Sequence, residues 1–403
     1  MFTVAEARER VLAAVGPLET EERNVGDALG YVVADTLLAP HPLPRFDNSA
    51  MDGYALRSED VTDASDAVPV TLRIAGEVRA GDPGDVTVAS GTAARIMTGA
   101  PVPPGANAVV PVELTDESSG EVIVKAPVTT AQHVRPAGDD LAAGAVLVSA
   151  GMELGPGELA LLSTMGFSPL KVHRRPRVAV VVTGDELVAP EDDPGPGQIR
   201  DSNSIALRAL VAEAGAEPIA FPPVPDDLAA TVHALSKAAE VADLVVSSGG
   251  VAVGRYDFVK DVVAELGRID LWRVAMQPGR PVVLGAIGPT PFLGLPGNPV
   301  SIHVGFEQFV RPAIRKLRGC ESLLRPTLFA TLTETVTKTP GRLQFVRVRL
   351  AAGNGGWRAT PTGPQGSHIQ SSLIGCHGVA RFGVEDTVLE EGTEVTVEVW
   401  RLP

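Results

Sequence analysis

Apolar positions along the chain change their period from one region to the next, and each change marks a different kind of structure. Near the start, Ala7, Val11 and Val15 recur every four residues behind Thr3 and Glu6, a pair spaced as a capping box. That pattern predicts a helix stopped by Gly16-Pro17. From about residue 40 the helical period is lost. Pro40, Pro42 and Pro44 break helix, and short β-rich runs follow at Val68 to Ile74, Ala106 to Val112 and Glu121 to Ala126. Turns such as Gly81-Asp82-Pro83-Gly84 separate them, which predicts a small β-rich domain over 43–143.

Residues 177–318 read differently. Val178 to Val182 is wholly apolar and β-branched apart from Ala179, as expected of a strand covered on both faces. Leu207, Leu210, Val211 and Ala214 form the stripe of a helix. A second helix starts after Pro225, capped by Asp226 or Asp227, with Leu228, Val232, Leu235 and Ala239 facing inward, and Leu244-Val245-Val246 is another buried strand. Strand and helix in alternation predict a parallel α/β sheet. From 319 onward the period returns to two, at Arg347 to Leu350 and strictly at Glu394 to Val399. The fold class is therefore α/β plus β: several domains, with a β-rich domain before a central parallel α/β domain and a barrel-like β domain after it.

Composition narrows the class of partner. Length alone, 403 residues, implies more than one domain. The 42 glycines and 34 prolines make up about a fifth of the chain, rich in turns but below the level of low-complexity disorder. The net charge of −15 repels nucleic acid and anionic membrane surfaces, so an anionic ligand must be met locally by arginines, backbone amides or a metal. Cys320 and Cys376 are too few for a disulfide framework or a four-cysteine zinc site and suit a reducing compartment. No apolar run approaches a membrane span, and Met1 to Glu6 shows no export signal. A cytoplasmic protein is expected.

Ligands of doubly wound sheets bind where strand ends, loops and helix N-termini converge. Thr183-Gly184-Asp185-Glu186-Leu187 follows the first buried strand, and Ser247-Ser248-Gly249-Gly250-Val251 the next. Adjacent glycines let amides approach a phosphate, with serine hydroxyls as further donors. The alternative is a tight strand-to-helix turn. Asp185, Glu186, Asp226, Asp227 and Asp257 cluster at the same edge and suit Mg²⁺, although Asp226 or Asp227, and Asp257, also suit helix caps. In Gly294-Leu295-Pro296-Gly297-Asn298-Pro299-Val300-Ser301, Asn298 suits an N-cap and Pro299 the first helical position. Gln277-Pro278-Gly279-Arg280-Pro281 is a rigid turn whose cation is either a solvated surface residue or a bidentate partner for an oxyanion. Asp52-Gly53 reads as a hairpin turn, and Thr98-Gly99 and Asp139-Asp140 as ordinary turns.

Taken together, Asp47 to Ala55, Met97-Thr98-Gly99-Ala100, Thr183 to Leu187, Ser247 to Val251 and Gly294 to Pro299 stand in the order and spacing of one family. Over nearly its whole length the chain resembles the bacterial molybdopterin molybdenumtransferases, the MoeA family, which is similar to the E domain of gephyrin. The resemblance implies insertion of molybdenum from molybdate into adenylylated molybdopterin, with release of AMP and a requirement for Mg²⁺. It implies a homodimer whose active site lies between the α/β domain of one chain and the β-rich domain of the other. Its subdomains would be a helix at 1–22 packed on the α/β domain, a discontinuous part at 23–42 and 144–168, the β-rich part at 43–143, the α/β part at 169–318 and a last part at 319–403.

By matching motifs the resemblance implies functional roles for Asp52, Thr98, Asp140, Glu186, Asp227, Asp257, Pro296 and Pro299. Asp257 and Glu186 would hold Mg²⁺ or orient the phosphate. Thr183, Gly184, Asp185, Ser248, Gly249, Gly250, Gly297 and Asn298 would bind the substrate, and Arg280, Arg347, Ser371 and Ser372 would hold molybdate. Many relatives have lysine at the position of Gln277, so one cationic contact is missing here. An adenylyltransferase of the same pathway, a possible transient partner, shares a similar α/β domain but is a short single-domain protein. A non-catalytic scaffold or carrier of molybdopterin is the other alternative, and no long linker or extra domain supports it.

Overall fold

The computed structural model describes residues 1–83, 85–251 and 258–403. They form two compact units, one of residues 1–35, 150–159 and 168–403, the other of 36–149 and 160–167.

The larger unit opens with the helix Val4–Ala13, and its capping box is formed: Glu6 N donates to Thr3 Oγ1 at 3.2 Å and Thr3 N to Glu6 Oε2 at 2.8 Å. Val4, Ala7 and Val11 enter the same buried cluster as Val178, Leu207 and Leu293. The central sheet has the strand order 217–220, 177–182, 244–248, 290–295, 283–287 and 267–272. Val178 and Val180 belong to one apolar cluster, while Ala179 and Val181 belong to another that includes Leu235 and Val262 from the helices Leu228–Val241 and Phe258–Leu266. Alternate residues of one strand thus fill two cores, which is why the strand is apolar throughout.

Two details depart from expectation. The first four strands are parallel, but Val283–Ile287 pairs antiparallel with both of its neighbours, Thr290–Leu295 and Gly267–Trp272. The connection from Ile287 to Thr290 contains only Gly288 and Pro289, too short for the crossover that a parallel partner requires. Leu228 is 46% exposed at the first helical position, so the inner face of that helix starts at Thr231 and runs through Leu235 and Ala238.

In the C-terminal part, strands 343–353, 356–361, 327–332, 394–399 and 378–382 pair in that order, and 378–382 returns to 343–353. The sheet closes into a barrel around Val346, Val348, Leu350 and Val397, leaving no open edge in that ring. The short strand Met276–Gln277 adds in parallel to Leu343–Gln344.

The smaller unit is built on a mixed sheet with strand order 108–111, 53–56, 92–96, 70–78, 121–124 and 115–118. Tyr54 and Leu56 face one core and Ala55 the other. Gly53 is not in a hairpin turn. It begins the strand Gly53–Leu56, where a Cβ would collide with the carbonyl oxygen of Val110 on the neighbouring strand.

Candidate functional site

The carboxyl ends of the parallel strands open on a cavity of about 1010 Å³ within the larger unit. Thr183, Gly184, Glu186, Asp226, Ser248, Gly249, Gly250, Arg280, Pro296, Gly297, Asn298 and Pro299 line it, so the loops read as separate motifs meet in one place.

Close backbone approach builds the cavity floor. Thr183 N donates to Ser248 O at 3.1 Å and Gly249 N to Leu295 O at 3.1 Å, tying together the ends of three strands. Gly249 has φ +94°, and a Cβ there would stand 2.8 Å from Thr183 O. Gly250 has φ +64°, and a Cβ would stand 2.6 Å from Val259 Cγ2. Both glycines are therefore required by the turn itself. One amide expected to face a ligand, that of Gly249, is instead used inside the floor. The N–H groups of Gly250 and Gly297 have no hydrogen-bond partner among the described residues. Nor does the buried Thr183 hydroxyl. Such spare donors around glycines are what an anion needs.

Asn203, at the first position of the helix Asn203–Glu213, was not singled out from the sequence. Its Nδ2 donates to Ser248 Oγ at 3.1 Å and to Gly297 O at 2.6 Å, linking the two loops. Asn298 does occupy the N-cap position, but its side chain does not cap. Nδ2 reaches Ser367 Oγ at 3.1 Å, and Val300 N donates to Ser367 O at 3.2 Å. The 294–301 loop is thus docked on the 365–367 segment, which supplies another wall.

Charges are unevenly served. Glu186 is exposed and its carboxylate has no partner among the described residues, whereas Asp185 accepts from Asp226 N at 3.0 Å and is not on the cavity wall. Asp227 caps the helix Leu228–Val241, accepting from Ala230 N at 2.8 Å, and also lies off the wall. Its neighbour Asp226 is on it. Asp257 lies outside the described residues. Among the described residues no three His, Cys, Asp or Glu side chains gather as a metal cage. Glu186 and Asp226 do fit Mg²⁺, which takes one or two carboxylates with water and phosphate oxygens.

Arg347 is completely buried, although it shares its strand face with the exposed Arg349. Its Nη2 donates to Pro364 O at 3.1 Å and Gly366 O at 3.3 Å, under the segment that lines the cavity, while Nε and Nη1 are buried without a partner. Burial without a carboxylate pushes its pKa down to about 10, which leaves it charged at neutral pH. Ser371 and Ser372 lie in the short helix Gln370–Leu373, off the cavity wall, with Ser372 Oγ donating to Ile369 O at 2.5 Å. Thr339, Arg342, Gln365 and Ser367 are on the wall and were not anticipated. Gly363-Pro364-Gln365-Gly366, a turn cluster, was the one available signal.

Asp52, Thr98 and Asp140 belong to the smaller unit. Asp52 Oδ1 accepts from Thr98 N at 2.7 Å, and Asp140 N donates to Leu43 O at 3.0 Å.

A doubly wound α/β sheet with spare amides, an orphaned hydroxyl and arginines around one cavity is the arrangement that suits an anionic, phosphate-bearing ligand. The chain matches models for the MoeA N-terminal region (domains I and II) over residues 2–166, a probable molybdopterin binding domain over 179–316 and the MoeA C-terminal region (domain IV) over 330–400. It is 40% identical to molybdopterin molybdenumtransferase 2 of Mycobacterium tuberculosis over 93% of each chain. To the molybdopterin molybdenumtransferase of Haemophilus influenzae it is 36% identical, over 99% of this chain and 98% of that one. A crystal structure of the molybdopterin biosynthesis MoeA protein of Pyrococcus horikoshii matches with a TM-score of 0.86 at 34% identity, covering 100% of this chain and 99% of that one. The chain belongs to the MoeA family of molybdopterin molybdenumtransferases.

Proposed function

We propose that the protein inserts molybdenum from molybdate into adenylylated molybdopterin and releases AMP. The observation that carries this is the meeting, in one cavity, of a glycine-built phosphate cradle with the Glu186 carboxylate and the Arg280 guanidinium, neither of which has a partner among the described residues, with the buried Arg347 beneath its wall. Gly250 and Gly297 amides and Thr183 Oγ1 hold the phosphate end, framed by Ser248, whose Oγ donates to Pro296 O at 3.4 Å. Arg280 on the wall and Arg347 beneath it hold the oxyanion, while Ser371 and Ser372 lie off the wall, with Ser372 Oγ spent on Ile369 O. The orphaned Nε and Nη1 of Arg347 support that role, since a guanidinium buried without a counter-charge is costly unless an anion completes it. Mg²⁺ would be held by Glu186 and Asp257, with Asp226 adjoining, and would neutralise phosphate charge. The side chains position the reacting groups and balance accumulated negative charge, which is where the rate gain arises.

In this reading the protein acts as a cytoplasmic homodimer, and Asp52, Thr98 and Asp140 reach the cavity of a second copy. Among the described residues no helix is long and apolar enough to cross a membrane. The test is AMP release from adenylylated molybdopterin by purified protein and Mg²⁺, with and without molybdate. Molybdate-dependent release with metal on the pterin is expected. Tight binding without release would replace the enzyme by a carrier.

A further inference from the structure

Three arginines line the cavity, and they are not equivalent. Arg200 is engaged, donating to Pro190 O at 2.9 Å and Asp193 Oδ1 at 3.0 Å. Arg280 and Arg342 line the same cavity, and neither side chain has a hydrogen bond or ion pair among the described residues. Two arginines elsewhere in this unit show the paired alternative. Arg174 meets both oxygens of Asp243 at 2.7 Å, and Arg325 meets both oxygens of Glu307 at 2.9 Å. Arg280 is exposed and Arg342 half-buried, and a half-buried guanidinium left without a carboxylate, in a chain of net charge −15, leaves a bidentate donor available for an anion.

The placement of Arg342 is built into the backbone. Lys338 Nζ donates to Arg342 O at 2.6 Å and to Val384 O at 3.0 Å, and Gly341 N donates to Val384 O at 2.8 Å, pinning the 338–342 segment to the barrel. The next residue, Leu343, donates from N to Ala275 O at 3.1 Å, while Val274 N donates to Arg280 O at 3.0 Å. The two unpaired arginines are therefore attached to the same short stretch, residues 274–277, one through each of two neighbouring hydrogen bonds.

We propose that Arg342 is a further oxyanion-binding residue of this site, pairing with Arg280 on a small tetrahedral oxyanion of the molybdate class. This rests on the function proposed above. It also assigns a cation to the wall that Gln277, in register with Gln344 on the adjoining strand, leaves uncharged.

The test uses the full chain and compares Arg342→Ala, Arg342→Lys, Arg280→Ala and, as a control on the barrel, Arg349→Ala. Two quantities are read: the molybdate concentration giving half-maximal AMP release, and the affinity for adenylylated molybdopterin. Loss of a charged hydrogen-bond pair is expected to raise the first about tenfold or more in Arg342→Ala. Adenylate affinity should stay within about twofold, because cradle and arginine pair are separate groups. Lysine should restore part of the effect, and Arg349→Ala none. An unchanged molybdate dependence in Arg342→Ala beside a shifted Arg280→Ala overturns the assignment. So does a loss of adenylate affinity alone, which would place Arg342 on the nucleotide. Absence of molybdate-dependent release in the wild-type protein would instead remove the underlying function.

Discussion

The cavity of the larger unit and the Asp52–Thr98 face of the smaller one look alike as sequence, both dense in Gly, Ser, Asp and Thr, but they use their polar groups in opposite ways. In the cavity, bonding capacity is left over: the Gly250 and Gly297 amides, the Thr183 hydroxyl and two guanidinium groups lack partners among the described residues. On the other face it is consumed locally. Asp52 Oδ1 accepts from Thr98 N at 2.7 Å, Asp47 Oδ1 from Ala137 N at 2.8 Å, and Ser49 Oγ donates to Met51 O at 2.6 Å. Unspent donors point to a ligand. Spent ones point to a turn, and a role in chemistry for Asp52 then requires something brought to it, as a second copy would.

The sharpest way to break the comparison is to add one methyl group to each region. Gly249→Ala puts a Cβ 2.8 Å from Thr183 O at a residue with φ +94°. It is expected to abolish AMP release while the cores persist, since the strain sits in one loop and amounts to about 1–3 kcal/mol. Gly53→Ala drives a Cβ into the Val110 carbonyl inside a sheet. Its effect is expected on stability, about 2 kcal/mol, read as a lowered thermal midpoint. If Gly249→Ala turned over normally, the cradle would be a structural turn and nothing more.

A smaller effect is expected at Asp52. As a turn clip alone, Asp52→Ala would cost about 1 kcal/mol of stability and leave turnover intact. As part of a site completed by a second copy, it should lower turnover about a hundredfold with little change in stability. Mixing it with Glu186→Ala distinguishes these outcomes. Random pairing should restore about a quarter of wild-type activity, because each mixed dimer keeps one intact site. No recovery on mixing would confine the site to one chain.

Much of this was legible in the sequence. The capping box, the two-faced burial of Val178 to Val182 and the glycine pair were readable because each answers a local constraint: a spacing, a period, a positive φ. Arg347 was not. Its period-two pattern puts it beside Arg349 on an outward face, but helix and loop segments cover that face at Phe345 and Arg347, and only Arg349 reaches solvent. Arg342 and Ser367 escaped notice because the barrel brings them to the cavity through pairings between residues far apart in the chain, which no local pattern encodes. Asn298 illustrates the limit: the N-cap position was right, and the side chain's bond was decided by a segment nearly 70 residues away.

The smallest effect expected is at Asn203, and it sharpens the comparison most finely because it concerns neither ligand contact nor fold. Its Nδ2 bonds Ser248 Oγ and Gly297 O, so it holds the serine-glycine turn at a fixed distance from the 294–299 loop. Both bonds are at least partly solvent-accessible, so Asn203→Ala should lower stability by only about 1 kcal/mol. A loosened cradle loses pre-organisation, and adenylate affinity is expected to fall about tenfold while the maximal rate changes little. Asn203→Asp should be worse than alanine, since a carboxylate cannot donate to Gly297 O and adds negative charge beside a phosphate site. In Ser248→Ala one of the two bonds is already gone, so the two substitutions should combine to less than the sum of their separate effects on affinity. Strict additivity would mean that Asn203 acts through Gly297 alone, and a fall in maximal rate with affinity intact would move it from positioning the bound adenylate to the chemical step.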